Sequence, residues 1–320
     1  MSTLRPMRNF GEMMEAARAT AAKLPPLKIA VCAAEDDSSI LAMEEAMRLG
    51  LARPVLIGDE PEIRRIMAGL NIDPAPYRII DVKARADKAA KGVELIRSGE
   101  ANILMKGMVP TSTFLHPIFK RENGLLSGGF ISHVGVLEAP EYGRFFLQTD
   151  GGLNILPTFE QMKAIIKNAV FVGHLLGMER PKVALISATE SPHPKIPSTV
   201  QARELAEWAR TGVPDADVQG PLALDVAVSP EAAETKGVTG PVAGAADALV
   251  APNIETGNVT YKALRYFGHA EGAGIVVGAT CPIMLTSRSD PPREKINSLA
   301  LAVLYACRIA KDGCVIVRKN

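Results

Sequence analysis

Short apolar segments alternate with segments of helical periodicity from Lys28 onward. Strands are expected at 28–33, 54–57, 78–82 and 102–105. Helices are expected between them at 39–49, 60–70 and 84–96. A strand and helix alternation of this kind predicts a parallel sheet with helices on both faces. The chain is therefore expected to be an α/β protein.

Two further apolar segments, 133–138 and 144–149, flank the turn-forming sequence 139–143, and a hairpin is the simplest interpretation. A second α/β series follows the loop at 150–157. Its strands are expected at 182–187, 248–251, 275–277 and 283–286. Its helices are expected at 158–176, 198–210 and 294–310. We therefore expect two α/β lobes that join near Asp150.

Three helix starts have a recognisable chemical signature. Thr158 with Gln161 and Ser198 with Gln201 have the spacing of capping boxes, in which two side chains satisfy the first amides of a helix. Pro230 follows Ser229, and proline is favoured in the first turn of a helix. These positions should fix where the helices begin.

Composition excludes several classes of protein. The 320 residues include 36 Lys and Arg against 35 Asp and Glu, so no strong net charge attracts nucleic acid or anionic lipid. No segment reaches the roughly 18 uninterrupted apolar residues of a membrane span, and we expect no signal peptide. The cysteines have no metal-ligand spacing and are expected to be reduced residues of a cytosolic protein. They are Cys32, Cys281, Cys307 and Cys314.

Polar side chains and glycines collect directly after the expected strands. These segments are 106–107, 149–154, 187–198, 255–258 with Lys262, and 287–290. Ligands of parallel sheets bind beyond the carboxyl ends of the strands, and glycines and cations there suit an anionic ligand. The sequence has no G-x-G-x-x-G after the first strand, no G-x-x-x-x-G-K-[ST] and no G-x-S-x-G. The five histidines have no metal-ligand pairing.

Several of these motifs together resemble the phosphate acetyltransferase and phosphate butyryltransferase family, and are closer to the butyryl branch. The resemblance runs from about residue 28 to 306. It is carried by Leu104-Met105-Lys106-Gly107, Ser132-His133-Val134, Thr149-Asp150-Gly151-Gly152-Leu153-Asn154-Ile155, Pro194-Lys195-Ile196-Pro197-Ser198-Thr199, Gly220-Pro221-Leu222-Ala223-Leu224-Asp225, Glu255-Thr256-Gly257-Asn258 and Leu285-Thr286-Ser287-Arg288.

The resemblance implies reversible transfer of a short acyl group between coenzyme A and inorganic phosphate, with no metal and no redox cofactor. It also implies a homodimer with two lobes, an active site in the cleft between them, and a fold similar to that of isocitrate and isopropylmalate dehydrogenases. By that analogy the first lobe contains 1–149 and 276–320, and the second lobe contains 150–275. Small molecules are the expected partners, and neither nucleic acid nor a membrane is expected.

The resemblance also assigns the candidate catalytic residues. Ser287 is expected to stabilise the tetrahedral intermediate and Arg288 to hold phosphate, because a hydroxyl donor and a bidentate guanidinium suit these oxyanions. Glu294 is the favoured general base, and the other open role for it is a first-turn glutamate stabilised by the helix dipole. Asp290 is expected to cap the same helix.

Further residues are expected to bind the substrates. They are Lys106, Gly107, Thr111, Ser127, Gly128, His133, Asn154, Lys195, Asn258 and Lys262. Three positions depart from the family pattern, because His116, Gln219 and Tyr266 replace an arginine, an aspartate and an arginine. Lys120 or Arg121 could replace a lost cation.

Two alternatives stay open at this point. A protein that binds coenzyme A or acyl phosphate without turnover is consistent with His116 and with the uncertain base. A metal-dependent dehydrogenase on the related fold is disfavoured, because Asp215, Asp217 and Asp225 do not match the paired aspartates that such enzymes use.

Overall fold

The computed structural model describes residues 6–126, 129–286 and 290–311. The strands of these segments are β1 (Lys28–Cys32), β2 (Arg53–Gly58), β3 (Arg78–Asp81), β4 (Ile103–Lys106), β5 (Ser132–Glu138), β6 (Phe145–Thr149), β7 (Lys182–Ile186), β8 (Asp217–Leu222), β9 (Ala248–Val250), β10 (Glu271–Val277) and β11 (Ile283–Met284). The α/β class expected from the sequence is confirmed.

The helices lie between these strands. They are α1 (Phe10–Ala21), α2 (Asp37–Arg48), α3 (Glu60–Gly69), α4 (Arg85–Arg97), α5 (Thr111–Phe119), α6 (Phe159–Leu175), α7 (Pro197–Gly212), α8 (Leu224–Val228), α9 (Pro230–Thr235), α10 (Ile254–Tyr266) and α11 (Pro292–Lys311). A 3-10 turn at Arg121–Asn123 follows α5. None of the described helices is both long enough and apolar enough to cross a bilayer.

Packing divides the described chain into two compact units. The first unit takes in residues from Phe10 to Gly129 and from Ala273 onward, and the second contains Phe130–Gly272 with the chain before Phe10. The lobes expected from the resemblance change at 149/150 and 275/276, whereas the units change at 129/130 and 272/273. The hairpin accounts for the larger difference, because β6 pairs with β9 of the second unit.

The first unit contains strands in the order β3-β2-β1-β4-β11-β10. Pairing from β3 through β1 and β4 to β11 is parallel, and β10 is antiparallel to β11. In β1 the side chains from Ile29 to Cys32 are fully buried, as expected for a strand that is covered on both faces. Gly92 lets α4 approach this strand, because a Cβ there would lie 2.3 Å from the sulfur of Cys32.

The second unit contains strands in the order β5-β6-β9-β7-β8. The expected hairpin is confirmed, with β5 antiparallel to β6 and with parallel pairing from β6 through β9 and β7 to β8. Its core packs Leu137 and Phe146 of the hairpin against Val226, Val242 and Leu249.

The three predicted helix starts have different outcomes. The capping box of Thr158 with Gln161 is present, and Ser229 caps α9 before Pro230. The predicted box of Ser198 with Gln201 is wrong, because α7 begins at Pro197 and Ile196 at its cap position makes no side-chain bond. The Ser198 hydroxyl lies 2.9 Å from the Ser187 hydroxyl instead.

Candidate functional site

The carboxyl end of β4 carries Lys106 and Gly107. Lys106 is 5% exposed, and its ammonium lies 3.3 Å from the Gly107 carbonyl oxygen. Only glycine fits at 107, since a Cβ there would lie 2.1 Å from the carbonyl oxygen of Ala33 in the loop after β1. The Met108 amide donates to the same carbonyl at 2.7 Å. The loops after β1 and β4 therefore pack backbone against backbone, with a cationic side chain buried beside them.

Thr286 joins the end of β11 to this strand end. Its hydroxyl donates to the Lys106 carbonyl oxygen at 2.9 Å, and Thr286 is 5% exposed. Ser287 and Arg288, the two predicted catalytic residues that come next in the sequence, lie outside the described residues. The contact fixes where the chain leaves the sheet before them.

The next predicted binding residues are at the start of α5 and, further along the sequence, after its end. Thr111 is the exposed first residue of that helix, whereas Ser127 and Gly128 lie outside the described residues. Gly129 packs on the segment after β10, because a Cβ there would lie 2.0 Å from the Gly278 carbonyl oxygen. The Thr280 amide also donates to the Leu125 carbonyl oxygen at 2.9 Å. Residues on both sides of 127–128 are thus anchored to the chain that leads into β11.

Glu294, the predicted base, lies in the first turn of α11. Its amide donates to the Pro291 carbonyl oxygen at 3.1 Å, and the residue is only 6% exposed. A carboxylate at this position of a helix is stabilised by the backbone amides of the first turn. Its assignment as the base stays a prediction.

Asp150 is the centre of a buried cluster in the second unit. Its Oδ1 accepts from the amides of Gly152 and Leu153 at 2.8 and 2.9 Å. Its Oδ2 accepts from the His133 amide at 3.0 Å and from Nδ2 of Asn154 at 2.6 Å. Four donors therefore converge on a carboxylate that is 2% exposed.

Two of the predicted binding residues, His133 and Asn154, are brought together by this cluster. Asn154 Nδ2 also donates to the Ile131 carbonyl oxygen at 3.0 Å, and the Thr149 hydroxyl donates to the His133 carbonyl oxygen at 2.7 Å. Gly152 packs closely on the His133 ring, since a Cβ there would lie 3.2 Å from it. Asp150 is not among the predicted binding residues, although a carboxylate before Gly151-Gly152 is a sequence signal for bonds back to the following amides.

The segment 255–258 is helical and is not a loop after a strand. It forms the first turn of α10, because Asn253 caps the helix by accepting from the Thr256 amide at 2.9 Å. Gly257 is required by contact with the loop, since its Cβ would lie 2.3 Å from the Asp150 carbonyl oxygen. Asn258 Nδ2 donates to the Gly151 carbonyl oxygen at 2.9 Å. The structure therefore joins Asn258 to the Asp150 cluster.

The two predicted lysines of this unit have no hydrogen bond to the cluster among the contacts of the described residues. Lys195 is exposed in the segment after β7, where its amide donates to the His193 ring at 3.2 Å. Lys262 is half-buried one turn beyond Asn258 on α10. Both stay predictions as binding residues.

The three residues that depart from the family pattern lie in different parts of the structure. His116 is exposed on α5 and Tyr266 is 68% exposed at the end of α10. Gln219 has a structural role, since its amide nitrogen donates to the Thr239 carbonyl oxygen at 2.9 Å and its oxygen accepts from the Val242 amide at 3.3 Å. The glutamine at 219 therefore holds the loop at 239–242 next to β8.

Groups of three or more metal-ligating side chains are absent from the part of the chain that the structure describes. The strand ends instead carry a buried ammonium at Lys106 and closely packed glycines, which suit anionic ligands. These features favour the class of α/β proteins that bind an anion at the carboxyl ends of their strands.

Comparison with known proteins makes this class specific. The family model described as phosphate acetyl/butaryl transferase matches residues 82–303. A phosphate butyryltransferase of Clostridium beijerinckii is 40% identical over 302 residues, which cover 94% of this chain and 99% of that protein. A phosphate acetyltransferase of Rhizobium meliloti is 39% identical over 300 residues, which cover 93% and 94%. The chain belongs to the phosphate acetyl/butaryl transferase family.

Solved structures agree with this assignment. The crystal structure of a branched-chain phosphotransacylase from Enterococcus faecalis V583 matches with a TM-score of 0.79 and 34% identity, and covers 88% of this chain and 99% of that one. A putative 4-hydroxythreonine-4-phosphate dehydrogenase from Salmonella typhimurium has a TM-score of 0.54 at 14% identity, over 89% of this chain and all of that one. The second match is a similarity of fold alone, and it supports the expected dehydrogenase-like fold.

Proposed function

We propose that the protein is an acyltransferase that moves a short acyl group, from acetyl to butyryl, between coenzyme A and inorganic phosphate without a metal or redox cofactor. Membership of the family supports the reaction type. The structural observation that carries the proposal is the bond from Thr286 to the Lys106 carbonyl oxygen. It holds Thr286, the residue before Ser287 and Arg288 in the sequence, at the strand end with the buried ammonium of Lys106.

The reaction needs three functions from the protein. Toward acyl-CoA, a base takes the thiol proton, the sulfur bonds to the acyl carbon, and charge builds on the former carbonyl oxygen. The intermediate then breaks its carbon–oxygen bond to phosphate, which leaves with its electron pair. In the proposal Glu294 is the base, the Ser287 hydroxyl donates to the oxyanion, and Arg288 with Lys106 neutralises the phosphate.

Asp150 is a positioning residue in this scheme rather than a second base. Its two oxygens already accept four hydrogen bonds, so no oxygen is left to take a thiol proton in the folded site. Asp150 instead holds the loop that carries Asn154 and borders Asn258. We assign these two amides, with His133, Lys195 and Lys262, to binding coenzyme A or the acyl phosphate, and Gly107, Thr111, Ser127 and Gly128 to binding phosphate.

The acyl preference is part of the proposal. Relatives of similar identity are named for butyryl and for acetyl transfer, and we assign this chain to the butyryl branch. The test incubates the protein with acetyl-, propionyl- or butyryl-CoA and phosphate, and follows thiol release. We expect release with the highest kcat/KM for butyryl-CoA. No release with any thioester would favour the binding protein without turnover, which the comparisons do not support.

A cytoplasmic homodimer completes the proposal. Cys32 and Cys281 are buried thiols, as is usual in a reducing compartment. Along α10 and the loop before α6 lies an apolar surface whose side chains are 67 to 87% exposed: Ile155, Leu156, Val259, Tyr266 and Phe267. Together they offer apolar area on the order of several hundred Å², approaching the ~800 Å² per partner of a standard interface. We therefore assign this surface to a second copy of the chain.

A further inference from the structure

The first turn of α2 contacts the segment that leads into α11. Asp36 is the N-cap of α2, and its Oδ1 accepts from the Ser39 amide at 2.8 Å. The same oxygen lies 3.2 Å from Nζ of Lys295. One carboxylate oxygen thus caps a helix and pairs with an ammonium 259 residues further along the chain.

This ion pair is buried. The Lys295 side chain is 3% exposed and that of Asp36 is 16% exposed, and the ammonium also donates to the Ser39 hydroxyl at 3.4 Å. A buried ammonium without an opposite charge is strongly unfavourable. The ammonium of Lys295 is therefore held beside the Asp36 carboxylate. The first turn of α11 is therefore fixed at Lys295 to the start of α2.

Ser38 holds the other end of the same segment. Its hydroxyl donates to the Asp290 carbonyl oxygen at 3.0 Å. Residues 290–295 are thus attached at both ends to the start of α2, through its cap residue Asp36 and through Ser38 and Ser39. Glu294 lies inside this segment, and Ser287 and Arg288 precede it in the sequence.

We propose that Asp36, Ser38 and Lys295 are positioning residues, which hold residues 290–295 so that Glu294 reaches the thiol in the acyl transfer step. This inference rests on the proposed function, since it assigns the contacts a kinetic effect. None of the three residues needs to touch substrate. A general base acts only within hydrogen-bond reach, and a shift of about 1 Å can cost on the order of 10²-fold in rate.

The mildest test is Ser38→Ala, which removes only the bond to the Asp290 carbonyl oxygen. We expect kcat to fall on the order of tenfold, while KM for acyl-CoA and phosphate stays within about twofold. Ser38→Thr should restore most of the loss because it keeps the hydroxyl. Ser98→Ala is the matched control, since Ser98 donates to the Leu95 carbonyl oxygen elsewhere in the same unit and should leave both constants unchanged. A wild-type kcat in Ser38→Ala would overturn the proposal.

The ion pair has its own control in the same unit. Lys88 is also a buried lysine, with a side chain 8% exposed, and it pairs with Glu35 rather than with α11 or its cap. Lys295→Met and Lys88→Met should both lower the melting temperature, but only Lys295→Met should lower kcat of the folded protein. Lys295→Arg should recover part of that kcat. Equal loss of kcat in the two methionine variants would contradict a positioning role.

Hydrogen exchange gives a readout that does not depend on turnover. Amides of 290–295 should exchange faster in Ser38→Ala and Lys295→Met than in the wild type, with exchange in the Ser98→Ala control unchanged. If the wild type transfers no acyl group, the proposed function fails. Exchange that is unchanged in the variants would show separately that these contacts do not hold residues 290–295. If exchange rises while kcat stays at the wild-type value, the contacts hold the segment without positioning the base.

Discussion

The Asp150 carboxylate accepts a hydrogen bond from the Asn154 side chain at 2.6 Å, and both oxygens of Asp150 are shared with backbone amides of the surrounding loops. The Asn154 amide, which we propose binds substrate, is thereby fixed by a carboxylate four residues earlier. Four hydrogen bonds around this loop therefore depend on the Asp150 carboxylate.

Asp150→Asn should lower both stability and activity. The asparagine offers one oxygen, and its amide group would face two donors that lose their acceptor. We expect a loss of about 3 kcal/mol in the free energy of unfolding, because hydrogen bonds to buried charges contribute about 1.5–3 kcal/mol each. Urea denaturation and kcat/KM measure the two effects.

Asp215→Asn is the control for that substitution. Asp215 is 59% exposed and bonds to His174 at 2.9 Å, so the same chemical change should have little effect there. Equal stabilities of the two variants would show that the Asp150 cluster does not hold its loop.

Ser287→Ala and Arg288→Ala test the proposed catalytic pair. Loss of an oxyanion donor should reduce kcat by roughly 10²-fold or more, and loss of the guanidinium should raise KM for phosphate. Circular dichroism should show both variants folded. Rates close to the wild type in both would mean that the reaction takes place elsewhere.

Glu294→Gln tests the base. A base works only as the carboxylate, so the wild-type rate of acyl-CoA formation should fall as the pH is lowered and the group becomes protonated. The glutamine variant should have a low kcat, and this acid limb should be lost. An unchanged rate and pH profile would remove Glu294 from the mechanism and favour its role as a first-turn helix residue.

Buried thiols should not interfere with an assay of released coenzyme A. Burial raises the pKa of Cys281 to about 12 and raises that of Cys32 as well. A raised pKa keeps the thiol protonated at pH 8, and the protonated thiol is unreactive. Alkylation mapped by mass spectrometry should modify neither residue in the native protein and both in urea. Rapid native labelling of Cys281 would contradict its burial.

Phe267→Asp tests the proposed dimer. Phe267 is 87% exposed, so the charge should leave the fold intact but disrupt a surface covered by a second copy. Light scattering should report a dimer for the wild type and a monomer for the variant. Phe119→Asp, at a side chain 50% exposed on α5, should remain dimeric. A dimeric Phe267→Asp variant would place the interface on another surface.

Local patterns predicted much of the fold. The apolar residues of β1 and the capping box of Thr158 involve neighbours in sequence, so they could be identified without the structure. Elements with mixed signals were missed. No helix was predicted at α5, which contains Pro117, and no strand at β8, which lies at the sheet edge and contains Gly220-Pro221.

Sequence alone also determined the family, because its motifs keep their order along the chain, and it supplied His133, Asn154 and Asn258 as candidates. Only the tertiary structure decided what these residues contact. It joined His133 and Asn154 through Asp150, bonded Asn258 to the neighbouring Gly151, and attached Lys295 to Asp36, which lie 259 positions apart. Contacts over such separations depend on how buried charges and glycine backbones pack, and no short pattern in the chain encodes them.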